Sequence, residues 1–146
     1  MNSGKRMMVD ANLTLRIAYG QIEGYKPADG VAFNHFTTLK GIIEKNNPEI
    51  YDYRVPASLS KLYQTKDFGQ YANESGDVAV GFCASNHTTG GNSGSPVVNA
   101  NGELIGLNFD RCWEGTMSDI VYDPDQCRNI ALDMHYSLSF DGWGGF

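Results

Sequence analysis

Thr89-Gly90-Gly91-Asn92-Ser93-Gly94-Ser95-Pro96-Val97-Val98 is the stretch on which the reading of this chain turns. Four of its ten residues are Gly or Pro, so the backbone is committed to turns that most side chains would forbid. Val97-Val98 then looks like the start of a buried strand. Asn101-Gly102 is a strong hairpin signal before Leu104-Ile105-Gly106-Leu107. A serine on a tight, glycine-framed turn can expose its hydroxyl. The same turn can aim the backbone N–H groups of Gly91 and Ser93 at one point. Together these are the nucleophile and oxyanion hole of acyl-transfer chemistry. A Gly-rich hairpin loop without chemistry is the ordinary alternative for a bare Gly-x-Ser-Gly. The longer string Gly-Asn-Ser-Gly-Ser-Pro-Val, with the Asn-Gly turn behind it, favours the catalytic reading.

Upstream of this loop, Val78, Val80 and Phe82 alternate as a strand leading into it. Further back, residues 67–77 are polar and Gly-broken, a loop. Pro56 opens a helix on which Leu59, Leu62 and Tyr63 share a face. Residues 38–45 form a shorter helix, with Thr37 or Thr38 as its cap and Pro48 beyond its end. Residues 20–30 form a strand with turns, ending at Lys26-Pro27-Ala28-Asp29-Gly30. Over residues 12–19, Leu13, Leu15 and Ile17 alternate with Thr14 and Arg16, the pattern of a half-buried strand. Downstream, a loop runs from Asp110 to Gln126, and Ile130, Leu132, Met134 and Tyr136 make a last strand. From Asp141 the chain ends in a flexible tail or a cut edge. The expected fold is therefore mainly β with two short helices.

Composition sets the outer limits. The 146 residues make one domain or a large part of one, and 41% apolar with 12% aromatic residues suffices for a core. A net charge of −6 argues against nucleic acid and anionic membranes as partners. No run of 18 apolar residues is available to span a membrane. The start, Met1-Asn2-Ser3-Gly4-Lys5-Arg6, lacks the apolar core of a signal peptide. This fits a cytosolic protein or an internal piece of a longer exported chain. Cys83, Cys112 and Cys127 have no metal-ligand spacing, so no metal or other cofactor is called for. They allow one disulfide with a free thiol, or three free thiols.

Ser93 needs a base, usually a histidine oriented by a carboxylate. His87 lies six residues before it, on the approach to the same loop, and is a poor candidate for that reason. His35 has no evident pairing. His135 alternates outward on the last expected strand. The sequence thus carries a nucleophile without a convincing base, as a fragment of a larger enzyme would.

The stretch from His87 to Arg111, with Trp113-Glu114 after it, resembles the bacterial serine dipeptidyl peptidases of the dipeptidyl-peptidase 7/11 family. So do Asp10–Gly20, Asp67–Tyr71 and Arg128–Asp133. The likeness runs from about residue 9 to 136. It implies a chymotrypsin-like double β-barrel with an inserted helical domain, of which residues 1–146 would be the C-terminal part of the peptidase domain. That part is the second barrel, carrying the nucleophile. The catalytic His and Asp would come from the first barrel, outside this chain. The resemblance further implies that Asp110 binds the free α-amino group of a peptide substrate. Arg111, where other members carry Gly, would select an acidic penultimate residue, which matches the dipeptidyl-peptidase 11 type. The chemistry agrees, since a guanidinium grips a carboxylate through two parallel N–H bonds. An Asp–Arg surface pair at a strand end is the ordinary reading of these two residues. The resemblance also implies a homodimeric parent enzyme in the periplasm or at the surface of a Gram-negative cell, with its signal peptide upstream. Asn92 stands where many chymotrypsin-like enzymes have Asp, so the ion pair that activates zymogens is not expected. From the residues alone, a trypsin-like endopeptidase and a non-catalytic β-domain serving as a binding module stay open.

Overall fold

The computed structural model describes residues 15–141. In chain order the elements are β1 (Tyr25–Ala28), β2 (Val31–Phe33), β3 (Phe36–Thr38), α1 (Leu39–Glu44), α2 (Ala57–Thr65) and β4 (Ala79–Ala84). They are followed by β5 (Pro96–Val98), β6 (Leu104–Arg111), a 3₁₀ segment over Trp113–Asp119, β7 (Asn129–Asp133) and α3 (Met134–Asp141). Five strands form one antiparallel sheet in the order β3-β4-β7-β6-β5. The late strand β7 is therefore inserted between β4 and β6, and the connection from β4 to β5 must cross one end of the sheet past β7 and β6. β1 and β2 make a separate two-stranded ribbon. Among the described residues the sheet does not close: β3 and β5 stand at its two edges, and no closed barrel is present. No helix there is long and apolar enough to cross a membrane.

The core sits at the helical corner, against the β3–β4 end of the sheet. Leu39, Leu59, Leu62, Phe68 and Val78 form one buried cluster, with Ile42, Val55 and Tyr63 packed against it. Leu59 and Leu62 lie one turn apart on α2, the helical spacing that the sequence predicts. α2 stops at Lys66, whose left-handed φ of 56° turns its N–H back onto the Leu62 carbonyl at 3.1 Å. α1 starts at Thr38, but the threonine side chain makes no capping bond. Asp77 supplies that acceptor from the approach to β4, taking the Lys40 N–H at 3.2 Å, a cap from a distant part of the chain.

Three expectations need correction. Leu15 and Ile17 are 94% and 83% exposed, and residues 15–19 form no ladder: the alternating pattern is there but no partner strand is. Residues 12–14 lie outside the described residues, as does the tail from 142 to 146. Val98 is 55% exposed because β5 is an edge strand rather than a buried one. The last strand ends at Asp133, and Met134 and Tyr136 belong to α3. Asp133 accepts the His135 N–H at 2.8 Å, which caps the helix start and ends the strand.

Arg128, 6% exposed, ties the β1 end of the chain to β7. Its Nε and Nη2 donate to the Gly24 carbonyl at 3.2 and 3.1 Å, and Nη1 donates to the Pro124 and Cys127 carbonyls. In mid-sheet Gly106 leaves room for the Phe82 ring. A Cβ there would come within 2.8 Å of that ring and 2.7 Å of the Leu132 carbonyl oxygen.

Candidate active site

The serine loop joins β4 to β5 and is shaped by two glycines in the left-handed region, Gly91 at φ 92° and Gly94 at φ 85°. It is braced by hydrogen bonds rather than by burial. Asn92 Oδ1 accepts the Thr89 N–H at 2.8 Å. The Gly94 N–H donates to the Asn108 carbonyl at 2.7 Å, and the Asn108 side chain donates to the Asn92 carbonyl at 2.9 Å. Asn129, only 2% exposed, donates in turn to Asn108 Oδ1 and to Thr88 Oγ1. The two asparagines pin the loop to β6 and β7. The N–H groups of Asn92 and Gly94 are engaged within the loop and with β6, whereas those of Gly91 and Ser93 have no acceptor among the described residues.

Ser93 is exposed, and its hydroxyl donates to the Phe109 carbonyl at 3.2 Å. That carbonyl belongs to a β-bulge. Asn108 pairs with Ala131 but Asp110 pairs with Ile130, leaving Phe109 as the extra residue in β6. In an unbroken strand Asn108 and Asp110 would share a face. The bulge instead puts Arg111 on the face of Asn108, Ala131 and Asn129, and Asp110 on the other. Ser93 thus lies beside the end of β6, against the residue that precedes Asp110 and Arg111, which stand 17 and 18 positions after it in sequence.

The Arg111 guanidinium is already engaged. Nη1 and Nη2 donate to the two carboxylate oxygens of Asp119, each at 2.7 Å, and Nη1 also donates to Ser118 Oγ at 3.0 Å. The Asp119 carboxylate is held below the usual range by that hydrogen-bonded pairing, and the guanidinium is raised by the same contact. Asp110 accepts the Arg111 backbone N–H at 2.8 Å and does not pair with its side chain. A surface Asp110–Arg111 ion pair is therefore not what these residues form. A small pocket lies beside Arg111, with His87, Ser118, Tyr122 and Asn129 in its wall. In it His87 Nε2 and Asn129 Oδ1 are buried without a partner among the described residues.

None of the histidines bonds to Ser93 among the described residues. His87 packs at a tilt against Tyr122 with ring centroids 5.0 Å apart, His35 packs on Phe36, and His135 pairs with Asp133 at 2.8 Å from α3 rather than from a strand. The three cysteines are free thiols, and burial pushes the Cys83 thiol up. No group of His, Cys, Asp and Glu among the described residues could hold a metal. Sequence reasoning missed Asn108, Ser118, Asp119 and Asn129. A buried Asn inside the apolar run Leu104–Phe109 was the one legible sign, whereas Asp119 stands in no periodic relation to Arg111.

The model of the peptidase S46 family matches residues 1–140. The chain belongs to that family. It is 54% identical over 138 residues to the Asp/Glu-specific dipeptidyl-peptidase of Porphyromonas gingivalis, covering 94% of this chain and 19% of that protein. It is 50% identical over 129 residues to dipeptidyl-peptidase 7 of Phocaeicola vulgatus, covering 88% of this chain and 18% of that one. Crystallised DPP11 of Porphyromonas endodontalis in complex with substrate superposes with a TM-score of 0.89 at 53% identity. The match covers 92% of this chain and 20% of that one. The same enzyme has also been solved with the dipeptides Arg-Glu and Arg-Asp. The S46 chain described here thus spans about a fifth of the length of these relatives.

Proposed function

We propose that this chain is the nucleophile-bearing part of a serine dipeptidyl peptidase that releases N-terminal dipeptides with Asp or Glu at the penultimate position. The observation that carries the reading is the junction of Ser93 with the β6 bulge. Its hydroxyl rests on the carbonyl next to Asp110, and Arg111 emerges on the pocket side. Arg111 already holds a carboxylate in its fork, which is the chemistry an acidic side chain requires. Relatives named Asp/Glu-specific, and a neighbour solved with Arg-Glu and Arg-Asp, support the same substrate class.

In this mechanism Ser93 Oγ leaves the Phe109 carbonyl and attacks the scissile carbonyl carbon. Its proton passes to a histidine supplied by the rest of the enzyme. The N–H groups of Gly91 and Ser93 stabilise the oxyanion. Asp110, on the opposite face of β6 from Arg111, binds the substrate's α-ammonium group, which limits the product to two residues. The open five-stranded sheet then forms part of a second, chymotrypsin-like barrel. The first barrel, the inserted helical domain and the catalytic His and Asp lie elsewhere in the polypeptide. The parent enzyme is a homodimer acting in the periplasm or at the cell surface.

Three assays test this. The 146-residue chain alone should not turn over Leu-Asp-naphthylamide, because losing the base removes most of the rate of a serine triad. Turnover comparable to the full-length enzyme would transfer the role of base to His35 or His87. In the full-length enzyme, Arg111→Gly should lower kcat/KM for acidic substrates by roughly 2–5 kcal/mol of recognition, on the order of 30- to several-thousand-fold, and spare apolar ones. An equal loss for both classes would remove Arg111 from substrate selection. N-acetylated peptides should be refused, whereas an endopeptidase would accept them.

A further inference from the structure

We propose that Asp119 and Ser118 are positioning residues for Arg111. In this arrangement they leave one edge of its guanidinium aimed at the acidic substrate side chain. The proposal rests on Arg111 selecting that side chain.

A guanidinium has five N–H groups in a rigid plane. Asp119 takes the two inner protons of Nη1 and Nη2, both at 2.7 Å, in an end-on bidentate pair. Ser118 takes the outer proton of Nη1 at 3.0 Å. The two that remain are Nε–H and the outer proton of Nη2. They run parallel along the other edge of the same plane, and that edge is the second of the two bidentate faces an arginine offers to a carboxylate. A substrate carboxylate can therefore pair side-on while Asp119 keeps its place.

The supports differ in mobility. Ser118 is 4% exposed and lies in the 3₁₀ segment 113–119, so its hydroxyl is a fixed point. Asp119 is half exposed, yet it holds Arg111 by two bonds in fixed geometry. An unheld arginine must give up its rotamer freedom when substrate arrives, whereas one held at three protons has already done so. Asp119 also cancels the charge of Arg111, so selection between acidic and apolar substrates falls on the paired edge rather than on long-range attraction.

The test measures kcat/KM on dipeptidyl-naphthylamides with Asp, Glu or Leu at the penultimate position, using the full-length enzyme and its Asp119→Asn, Asp119→Glu and Arg111→Gly variants. Asp119→Asn should lower the ratio of acidic to apolar kcat/KM on the order of tenfold, mainly through KM for the acidic substrates. Asp119→Glu should restore part of it. In the Arg111→Gly background Asp119→Asn should leave the ratio where Arg111→Gly put it. A ratio that rises in Asp119→Asn would mean that Asp119 competes with substrate, and would overturn the proposal. Equal losses on acidic and apolar substrates would reduce Asp119 to a structural role and overturn it too. If Arg111→Gly itself leaves the ratio unchanged, the selection by Arg111 is what fails. If Arg111→Gly collapses the ratio and Asp119→Asn does not alter it, only the positioning role fails.

Discussion

The helical corner and the serine hairpin are built from different materials. At the corner, Leu39, Leu59, Leu62, Phe68 and Val78 are each at most 3% exposed and touch one another. At the hairpin, Ser93, Gly94, Ser95 and Pro96 are all exposed, and position is set by Asn92, Asn108 and Asn129 through directed bonds. Apolar burial is non-directional and tolerates small shifts. Hydrogen bonds fix angles as well as distances. The difference teaches where precision is held: the corner keeps the chain folded, while the hairpin keeps one hydroxyl and one guanidinium in register.

Three variants press on that contrast, and their effects should shrink in order. Ser93→Ala in the full-length enzyme should cost on the order of 10⁴- to 10⁶-fold in kcat while the thermal midpoint stays put. A fall in the midpoint would show that the exposed loop carries stability after all. Leu39→Ala should do the reverse, costing about 2–5 kcal/mol of stability by leaving a cavity. Denaturant unfolding measures that cost, and the folded fraction should keep its kcat. Asn108→Ala lies between. It takes the Asn108 acceptor from the buried Asn129 amide, leaving that amide the weaker Thr88 and Asp110 contacts, and frees the Asn92 carbonyl, for a loss of about 1–3 kcal/mol. It should also slow fluorophosphonate labelling of Ser93, so this one change is visible in both assays.

The smallest effect concerns Asp119. Its carboxylate is depressed in the folded protein by the Arg111 pairing, so the contribution of the pair is present above the ordinary carboxylate pKa. It fades as pH falls through the lowered value. NMR titration should find the Asp119 carboxyl below its normal range, and Arg111→Gly should return it upward. No movement would mean that the ion pair does not persist in solution.

How much of this was legible in the sequence follows the same divide. The Leu59–Leu62 spacing, Pro56 and the Asn101-Gly102 turn are local signals, and α2 and the β5–β6 hairpin lie where they point. Ser93 and Gly91 stood out because Gly patterns are local too, whereas Asp110 and Arg111 were picked out by the family resemblance and not by any pattern in the chain. Asp77 capping α1, β7 inserting between β4 and β6, and Asp119 gripping Arg111 join residues that no short-range pattern links. Residues 130–136 failed differently: Met134 and Tyr136 fit a period of two, and only the Asp133 cap shows that the strand has ended.

The extra residue at Phe109 makes the spacing between Ser93 and the Asp110-Arg111 pair a matter of parity. Faces alternate along β6, so gaining or losing one residue between the bulge and Asp110 would exchange the sides on which the carboxylate and the guanidinium emerge. A change of length at the exposed Asn101-Gly102 tip leaves that assignment alone, because β6 remains in register with β7. Two homologues of equal length can therefore differ in which of the two residues enters the pocket, and two of unequal length can agree.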